Sequence, residues 1–565
     1  MLAAIVILIG VVVVSKVLRH MLAVVVMSMA VVFAFAIAPG TARAADTGAI
    51  AVDGTVATRY DAYQLFSATV VDDADADQKV ATDVAWANDT VRQAALPVLH
   101  DAGLDNSAST AQEAAEWMNA DGHMTTTLAA KLARAIYNAG APSVALNAGT
   151  TAELPCGYWL IVADDDAISQ NEAGTAPIMA LVGGSAVTVK PKAATPKVAK
   201  HVLEDSTAAW GKAADATVAD DLYWRLSATV PAGLTAYDTY TVRFVDTMSA
   251  GLDPSKVVAS MRVYVAAGAD GGFDAVQTDK DGRVGTDPAK GWTDITAQCG
   301  VSVDGKTFTV RTGDLVAALG GADAFTAGAR VVAVYNAPLN SACNHGIAKG
   351  NPNEVYLRYP RSPFADQSGD AGFTRTPSDD ACAYTWDLAL TKRGSDGDKP
   401  LAGAVLSIAD DRGRTLAADG TWDAEGKATV TTGEDGRVTV SGVDSGKLEV
   451  RELKAPKGYT AFEGTRSVTV KAEGLDVDQV AAAKPKLTIT AESPLRADSA
   501  DGSTGSLEAS LINTPTGTPP SITTGGFMPS TGDMAMYAAA AAAVAGAALI
   551  VVALLVKRGG GSHKE

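Results

Sequence analysis

The chain has 565 residues and a formal net charge of −18, with 6% aromatic residues, 54 glycines and 4 cysteines. Its length suits about three domains of 100 to 200 residues. The acidic balance is the wrong sign for nucleic acid or anionic lipid and excludes both as partners. Four cysteines allow at most two disulfides, too few to staple a chain of this size.

Near the N-terminus, Lys16, Arg19 and His20 precede an apolar stretch, 21–39, that ends at Ala42-Arg43-Ala44. A basic flank, an apolar core and an A-x-A site make a secretory leader, expected over 1–44, with 1–15 a further apolar stretch from a longer leader or an upstream start. In 45–193, segments 63–70 and 157–162 are rich in aromatic and β-branched residues and are expected as strands, while 84–102 and 111–138 carry helical spacing. Thr110 and Glu113 make a capping box for the second helix. The region is therefore expected to be a β-domain with a helical insertion. In 194–383, strands are expected at 222–230, 240–245, 257–265, 301–310, 330–335 and 354–359, with turns at Asp281-Gly282 and Asp304-Gly305, the spacing of a sandwich. A smaller β-domain follows over 384–516, with a turn at Asp435-Gly436. Residues 517–527 form a linker rich in Thr, Pro and Gly. In 528–565, Met528-Pro529-Ser530-Thr531-Gly532 is followed by an apolar run, 534–556, and Lys557-Arg558; the run is long enough for a transmembrane helix with a cytoplasmic tail.

Strand alternation places polar groups on core faces. Trp386, Leu388 and Leu390 share a face, and Lys392 falls in phase with them. Glu452 is in phase with Leu448 and Val450, and Asn513 with Leu511. Burying such groups separately costs several kcal/mol for each unpaired charge. Clustering changes their chemistry: an apolar interior lowers a lysine pKa and raises that of a carboxylic acid. A neutral amine can then attack the asparagine side-chain carbonyl while Glu452 polarises it and moves protons. Ammonia leaves and an amide remains, in a single-turnover reaction that depends on positioning and needs no cofactor. The middle region carries a looser version. Val198, Lys200 and Val202 share a face; so do Val242, Phe244 and Asp246; so do Asn353, Val355, Leu357 and Tyr359. Phase favours Asn353 over Asn351, as does Pro352, which disturbs pairing before it. Asn351 stays open as the alternative.

These residues carry a family resemblance. The segment Leu448-Glu449-Val450-Arg451-Glu452-Leu453-Lys454-Ala455-Pro456-Lys457-Gly458-Tyr459 resembles the E-box of Gram-positive pilins, Tyr-x-Leu-x-Glu-Thr-x-Ala-Pro-x-Gly-Tyr, with Leu448, Val450 and Leu453 as departures. Leu401-Ala402-Gly403-Ala404-Val405-Leu406-Ser407-Ile408 resembles the strand after the reactive lysine in collagen-adhesin B-type domains, and Ile512-Asn513-Thr514-Pro515 their closing Asn-x-Pro. Thr195 to Lys200, Phe244 to Leu252 and Gly350 to Tyr359 resemble the fimbrial isopeptide-forming second domain. Met528-Pro529-Ser530-Thr531-Gly532 resembles the sortase signal Leu-Pro-x-Thr-Gly, with Met in place of Leu.

The resemblance to sortase-assembled backbone pilins implies a mainly β chain of tandem immunoglobulin-like sandwiches, the first with a helical insertion, and a C-terminal transmembrane helix. It implies sortase cleavage between Thr531 and Gly532, Lys392–Asn513 and Lys200–Asn353 amides with Glu452 and Asp246 as proton shuttles, no cofactor, and no activity on other molecules. Its implied partners are sortase, neighbouring subunits, peptidoglycan and a host matrix or cell surface, at the cell wall. Val187-Thr188-Val189-Lys190-Pro191-Lys192 resembles the pilin motif Val-x-Val-Tyr-Pro-Lys, with Lys190 for Tyr. That implies Lys192 as the polymerisation nucleophile; a solvated interdomain lysine is the plainer alternative. A wall-anchored adhesin or tip pilin is the rival function, sharing every feature except a working Lys192.

Other signals point to ordinary structure. Asp105-Asn106-Ser107-Ala108-Ser109 spells the D-x-S-x-S of a metal-dependent adhesion site but sits between helical stretches, where helix capping explains it. Asp73, Asp75 and Asp77, like Asp279 and Asp281-Gly282, mimic calcium loops without the closing glutamate and are read as solvated turns. His100, His123, His201 and His345 lack ligand spacing and a Ser or Cys partner, so neither a metal nor a hydrolytic centre is expected. Cys299 and Cys343 fall in one region and are the preferred disulfide pair, with all three connectivities open.

Overall fold

The computed structural model describes residues 47–517 except 55, 74–77, 121, 170, 175, 192–194, 233, 235, 280–282, 326 and 366. The leader, Lys192, the sorting-signal residues 528–532 and the expected transmembrane helix lie outside the described residues. Within them the chain is mainly β and built as successive sandwiches, as the alternating patterns predict.

In the first region a five-stranded sheet centres on the strands Arg59–Asp72 and Gly157–Ala163, and a three-stranded sheet centres on Thr47–Val52. Ile50, Tyr60, Trp159 and Val182 fill the space between them. Three helices cover the other face of the larger sheet through Phe66, Leu99, Leu132 and Leu160. Gly157–Ala163 is therefore buried along its whole length, which explains an unbroken apolar run where a one-sided strand would alternate.

The helices depart from the expected spans. Residues 84–86 belong to the strand Lys79–Trp86, and the helix Asp89–Asp101 starts only at Asn88, whose side chain accepts from Val91 N at 2.9 Å. Ala111–Asn119 begins with the expected capping box. A turn at Gly122, with φ +84°, and a second cap at Thr125 then separate it from Thr126–Asn138, so one expected helix is two.

The middle sandwich packs a six-stranded sheet on a seven-stranded one around Trp224, Phe244, Phe308, Tyr335 and Leu357. Lys197–Glu204 lies in the first sheet, with Lys200 opposite Leu226; Arg243–Met248 and Asn351–Pro360 are antiparallel neighbours in the second, with Met248 opposite Asn353. Two strand expectations change. Asp253 and Pro254 start a helical turn that continues through Val257–Ser260, delaying the strand to Arg262–Ala267. The 301–310 strand is a hairpin, Gly300–Asp304 and Thr307–Arg311, turning at Gly305.

The strand Asp379–Tyr384 still belongs to the middle sheet, while Trp386–Gly394 opens the last sandwich. There a five-stranded and a seven-stranded sheet enclose Trp386, Leu406, Val450 and Leu511. Trp386–Gly394 runs parallel to the closing strand Ser506–Pro515, and Gly446–Lys454 lies in the facing sheet beside Val405–Ala409.

Candidate functional site

The last sandwich brings Lys392, Glu452 and Asn513 together. The first and closing strands are neighbours, with Lys392 opposite Leu511 and Gly394 opposite Asn513. Their pleats turn the lysine and asparagine to the same interior face, which Glu452 enters from the facing sheet. Lys392 Nζ donates to Asn513 Oδ1 and lies 3.2 Å from Glu452 Oε1. Asn513 Nδ2 donates to Glu452 Oε1 at 2.9 Å and Oε2 at 3.0 Å, and Phe462 N donates to Oε2 at 3.1 Å. The Lys392 and Glu452 side chains are 0% exposed. Burial pulls the Lys392 amine down to about 8, against the opposing pull of the Glu452 carboxylate. A nucleophile thus lies against an amide carbonyl whose leaving nitrogen already rests on a carboxylate.

The middle sandwich brings Lys200, Asp246 and Asn353 into another dry centre, where all three are 0% exposed. Lys200 Nζ donates to Asp246 Oδ2 and, at 2.8 Å, to the Tyr335 hydroxyl. Asn353 Nδ2 donates to the same hydroxyl at 2.8 Å, and that hydroxyl donates to Asp246 Oδ2 at 3.1 Å. The ring centroids of Trp224 and Tyr335 lie 5.3 and 5.4 Å from Nζ. Burial lowers the Lys200 amine to about 8 against the attraction of Asp246, and it raises the Asp246 acid against the attraction of Lys200. Asp379 Oδ2 accepts from Lys200 N at 2.7 Å, and Lys212 Nζ donates to Lys200 O at 2.8 Å, fixing the strand that presents the amine.

Asn351 is buried too, but it points elsewhere. It accepts from Asn344 N at 2.8 Å and donates to Asn344 O at 2.8 Å and Ala383 O at 3.2 Å. Among the described residues before Lys200, no Lys, Asp, Glu or Asn side chain is fully buried, so none of them forms a dry lysine–acid–asparagine centre of this kind. Tyr335 escaped the sequence reading because a tyrosine on a core-facing strand position reads as packing. The signal available was its place in phase with Val331 and Ala333 on Ala329–Asn336, in the sheet that carries Lys200.

The expected Cys299–Cys343 disulfide is not present: the two sulfurs are not joined. Cys299 donates to Ile295 O at 3.2 Å in its own turn, whereas Cys343 sits 3.5 Å from His345 Nε2. His345 Nδ1 lies 2.8 Å from Asp387 Oδ1, an alignment the sequence reading missed. Burial nevertheless pushes the Cys343 thiol up to about 11, the reverse of an activated nucleophile. Asp105 accepts from Ser107 N at 2.8 Å and Ser107 Oγ at 2.6 Å, an exposed turn between helices. Among the described residues, no group of three His, Cys, Asp or Glu side chains is arranged to hold a metal.

Residues 387–484 match a family model described as the SpaA prealbumin-like fold domain, a span that includes Lys392 and Glu452 and stops before Asn513. The trypsin-resistant surface T6 protein of Streptococcus pyogenes serotype M6 (strain ATCC BAA-946 / MGAS10394) is 30% identical over 143 residues, 24% of this chain and 24% of that protein. The chain thus spans about a quarter of the length of the curated relative it matches. Among solved structures, the T6 backbone pilin of serotype M6 Streptococcus pyogenes is 16% identical, with 85% of this chain and 100% of that one covered and a TM-score of 0.44. The full-length major pilin SpaD from Corynebacterium diphtheriae is 14% identical, with 85% and 99% covered and a TM-score of 0.39. The likeness to Gram-positive backbone pilins read from the sequence is borne out.

Proposed function

With residues 387–484 belonging to the SpaA prealbumin-like fold domain family and the chain akin to Gram-positive backbone pilins, we propose that it is the structural subunit of a covalent cell-surface pilus. The observation that supports this most is the convergence of Lys392, Glu452 and Asn513 in a dry interior. An amine, a carboxyl group and a primary amide in that arrangement have one evident reaction. Lys392 passes a proton to Glu452 and its nitrogen attacks Asn513 Cγ. Glu452 returns protons to Nδ2, the Cγ–Nδ2 bond breaks, and ammonia leaves behind an amide. Lys200, Asp246 and Asn353 carry out the same reaction in the middle sandwich. The chain is not an enzyme in the ordinary sense, since each centre turns over once and on itself.

Assembly uses the parts outside the described residues. Sortase breaks the Thr531–Gly532 bond and holds the Thr531 acyl group, and the Lys192 amine of a neighbouring subunit takes it. The last subunit is passed to peptidoglycan. The proposed organisation is a leader, 1–44; domains 45–193, 194–383 and 384–516; a linker, 517–527; and the sorting segment, 528–565.

Two measurements test the reading. Intact mass of the mature ectodomain should be lower than the sequence mass by one ammonia for each centre; an unreduced mass rejects internal amides. In sortase-competent cells, Lys192→Ala should abolish the high-mass ladders seen on a denaturing gel. Ladders that persist reject Lys192, and a wild-type chain attached to the wall with no ladder turns the reading to a monomeric adhesin.

A further inference from the structure

We propose that Tyr335 is a catalytic residue of the middle centre, its hydroxyl carrying the proton from Asp246 to the departing nitrogen of Asn353. The inference rests on the amide-forming reading of that centre. One hydroxyl touches all three groups: it accepts from Lys200 Nζ and from Asn353 Nδ2, each at 2.8 Å, and donates to Asp246 Oδ2 at 3.1 Å. The last sandwich contains no counterpart, because Asn513 Nδ2 there rests directly on both Glu452 oxygens, at 2.9 and 3.0 Å.

The Tyr335 ring is fixed by burial and by an edge contact with Phe308, whose centroid is 4.8 Å away at 72°. Burial holds the phenol well above its ordinary pKa. It therefore remains an O–H and gives up a proton only as it receives one, which makes it a conduit and not a base.

The step balances. Lys200 first gives a proton to Asp246, and the neutral amine bonds to Asn353 Cγ while the carbonyl electron pair moves to Oδ1. The Asp246 acid protonates the Tyr335 oxygen as the Tyr335 hydroxyl proton moves to Nδ2. The Asp246 carboxylate then takes the surplus proton from the lysine nitrogen. The Oδ1 pair restores the carbonyl, the Cγ–Nδ2 bond breaks, and ammonia leaves. Tyr335 ends unchanged and Asp246 ends protonated.

The test refolds the full mature chain from denaturant, quenches samples in acid and follows ammonia loss at each centre by peptide mass. Tyr335→Phe should slow the Lys200–Asn353 bond by about 100-fold, within the usual range for a positioned proton donor, while the Lys392–Asn513 bond closes at the wild-type rate. Phe308→Leu separates chemistry from packing, since it loosens the ring but keeps the hydroxyl. It should close the middle bond within about threefold of wild type, far less than the general acid–base effect. Equal rates for wild type and Tyr335→Phe overturn the relay, as does equal slowing by the two variants. No ammonia loss at the wild-type middle centre rejects the amide-forming reading itself, a result distinct from failure of the relay.

Discussion

The two buried centres use the same three functional groups in opposite sheet arrangements. In the middle sandwich the acid and the asparagine sit on adjacent antiparallel strands of one sheet and the lysine comes from the facing sheet. In the last sandwich the lysine and asparagine sit on adjacent parallel strands and the acid comes from across the core. The chemistry requires only that the groups converge; the topology decides what the bond would resist. A middle bond bolts two sheets together. A last-domain bond joins the first strand to the closing strand, so a pull along the chain crosses from 392 to 513 and leaves 393–512 out of its path. A middle bond would leave a gap. After Asn353 the chain returns through 354–391, held by the hydrogen bonds of Asn351–Pro360, Asp379–Tyr384 and Ala213–Asp215.

The largest effect expected from breaking this arrangement is loss of the last bond. Closing a loop of about 120 residues restricts an unfolded chain by roughly 5 kcal/mol on the disulfide scale, so Lys392→Ala should destabilise the last sandwich by about that amount in denaturant titration. Single-molecule pulling between the Lys192 position and the linker gives the mechanical counterpart. Wild type should lengthen by at most roughly 130 Å, the reach of about 38 residues at 3.3 to 3.6 Å each, because only 354–391 lies between the bonds. Lys392→Ala should add roughly 400 Å at about 120 further residues. A wild-type extension of that larger size refutes the bonded path.

Removing one acid at a time separates the centres. Asp246→Ala should slow the middle bond by roughly 100-fold or more and leave the last bond untouched, and Glu452→Ala should do the reverse. The pH dependence sharpens the contrast. Both amines are held near 8 by burial, so the neutral nucleophile at each centre becomes more abundant as pH rises toward that value. Asp246 is raised as well, and its acid form is lost as pH climbs through its folded pKa. The middle rate, followed by mass during refolding, should therefore fall again at alkaline pH. A middle rate that climbs monotonically would show that the Asp246 proton is not used.

Much of this was legible because alternation is a hard constraint. A strand that places Trp386, Leu388 and Leu390 inward must place Lys392 inward, and the same parity places Glu452, Asn513, Lys200 and Asp246 on interior faces. Parity does not separate Asn353 from Asn351, which lie two residues apart on one face of a continuously paired strand and are equally buried; the bonds of Asn351 to Asn344 and Ala383 set it apart. Tyr335 was illegible because its ring meets the needs of a core position whether or not its hydroxyl has a partner. The joint between the middle and last sandwiches was illegible for another reason. Its contacts join residues far apart in sequence, such as Asp215 with Trp386 Nε1 at 2.6 Å and Ser445 N at 2.9 Å, and no local pattern encodes them.

That joint supplies the third test. Gly442 has φ +70°, and a Cβ added there would collide with the Val218 side chain. Its carbonyl accepts from Val218 N at 2.9 Å, so it cannot move away without loosening the contact between sandwiches. Gly442→Ala should cost roughly 2 to 3 kcal/mol, the range for combined backbone strain and overpacking. Both amides should still form, because neither centre lies at the joint. Loss of either amide in this variant would mean that the centres depend on how the sandwiches dock.

The smallest expected effect is electrostatic. Glu204, Asp205, Asp215 and Asp444 crowd the joint, with Arg412 reaching Asp205 at 3.5 Å and Asp220 at 2.8 Å, and Arg414 binding Asp220 and, at 2.7 Å, Asp410. Burial, followed by the charge of Asp215, raises Glu204 to about 8. Its protonated form is therefore favoured by the folded joint. The stabilisation is fully present below the ordinary carboxylate value of 4.5 and is lost as pH rises toward about 8. Glu204→Gln, a neutral mimic of the protonated acid, should flatten that loss. Between pH 5 and 9 the thermal midpoint of wild type should fall more than that of the variant, by the equivalent of roughly 1 to 2 kcal/mol. Parallel curves would assign the bound proton to Asp444, which burial and the neighbouring carboxylates also hold well above its ordinary value.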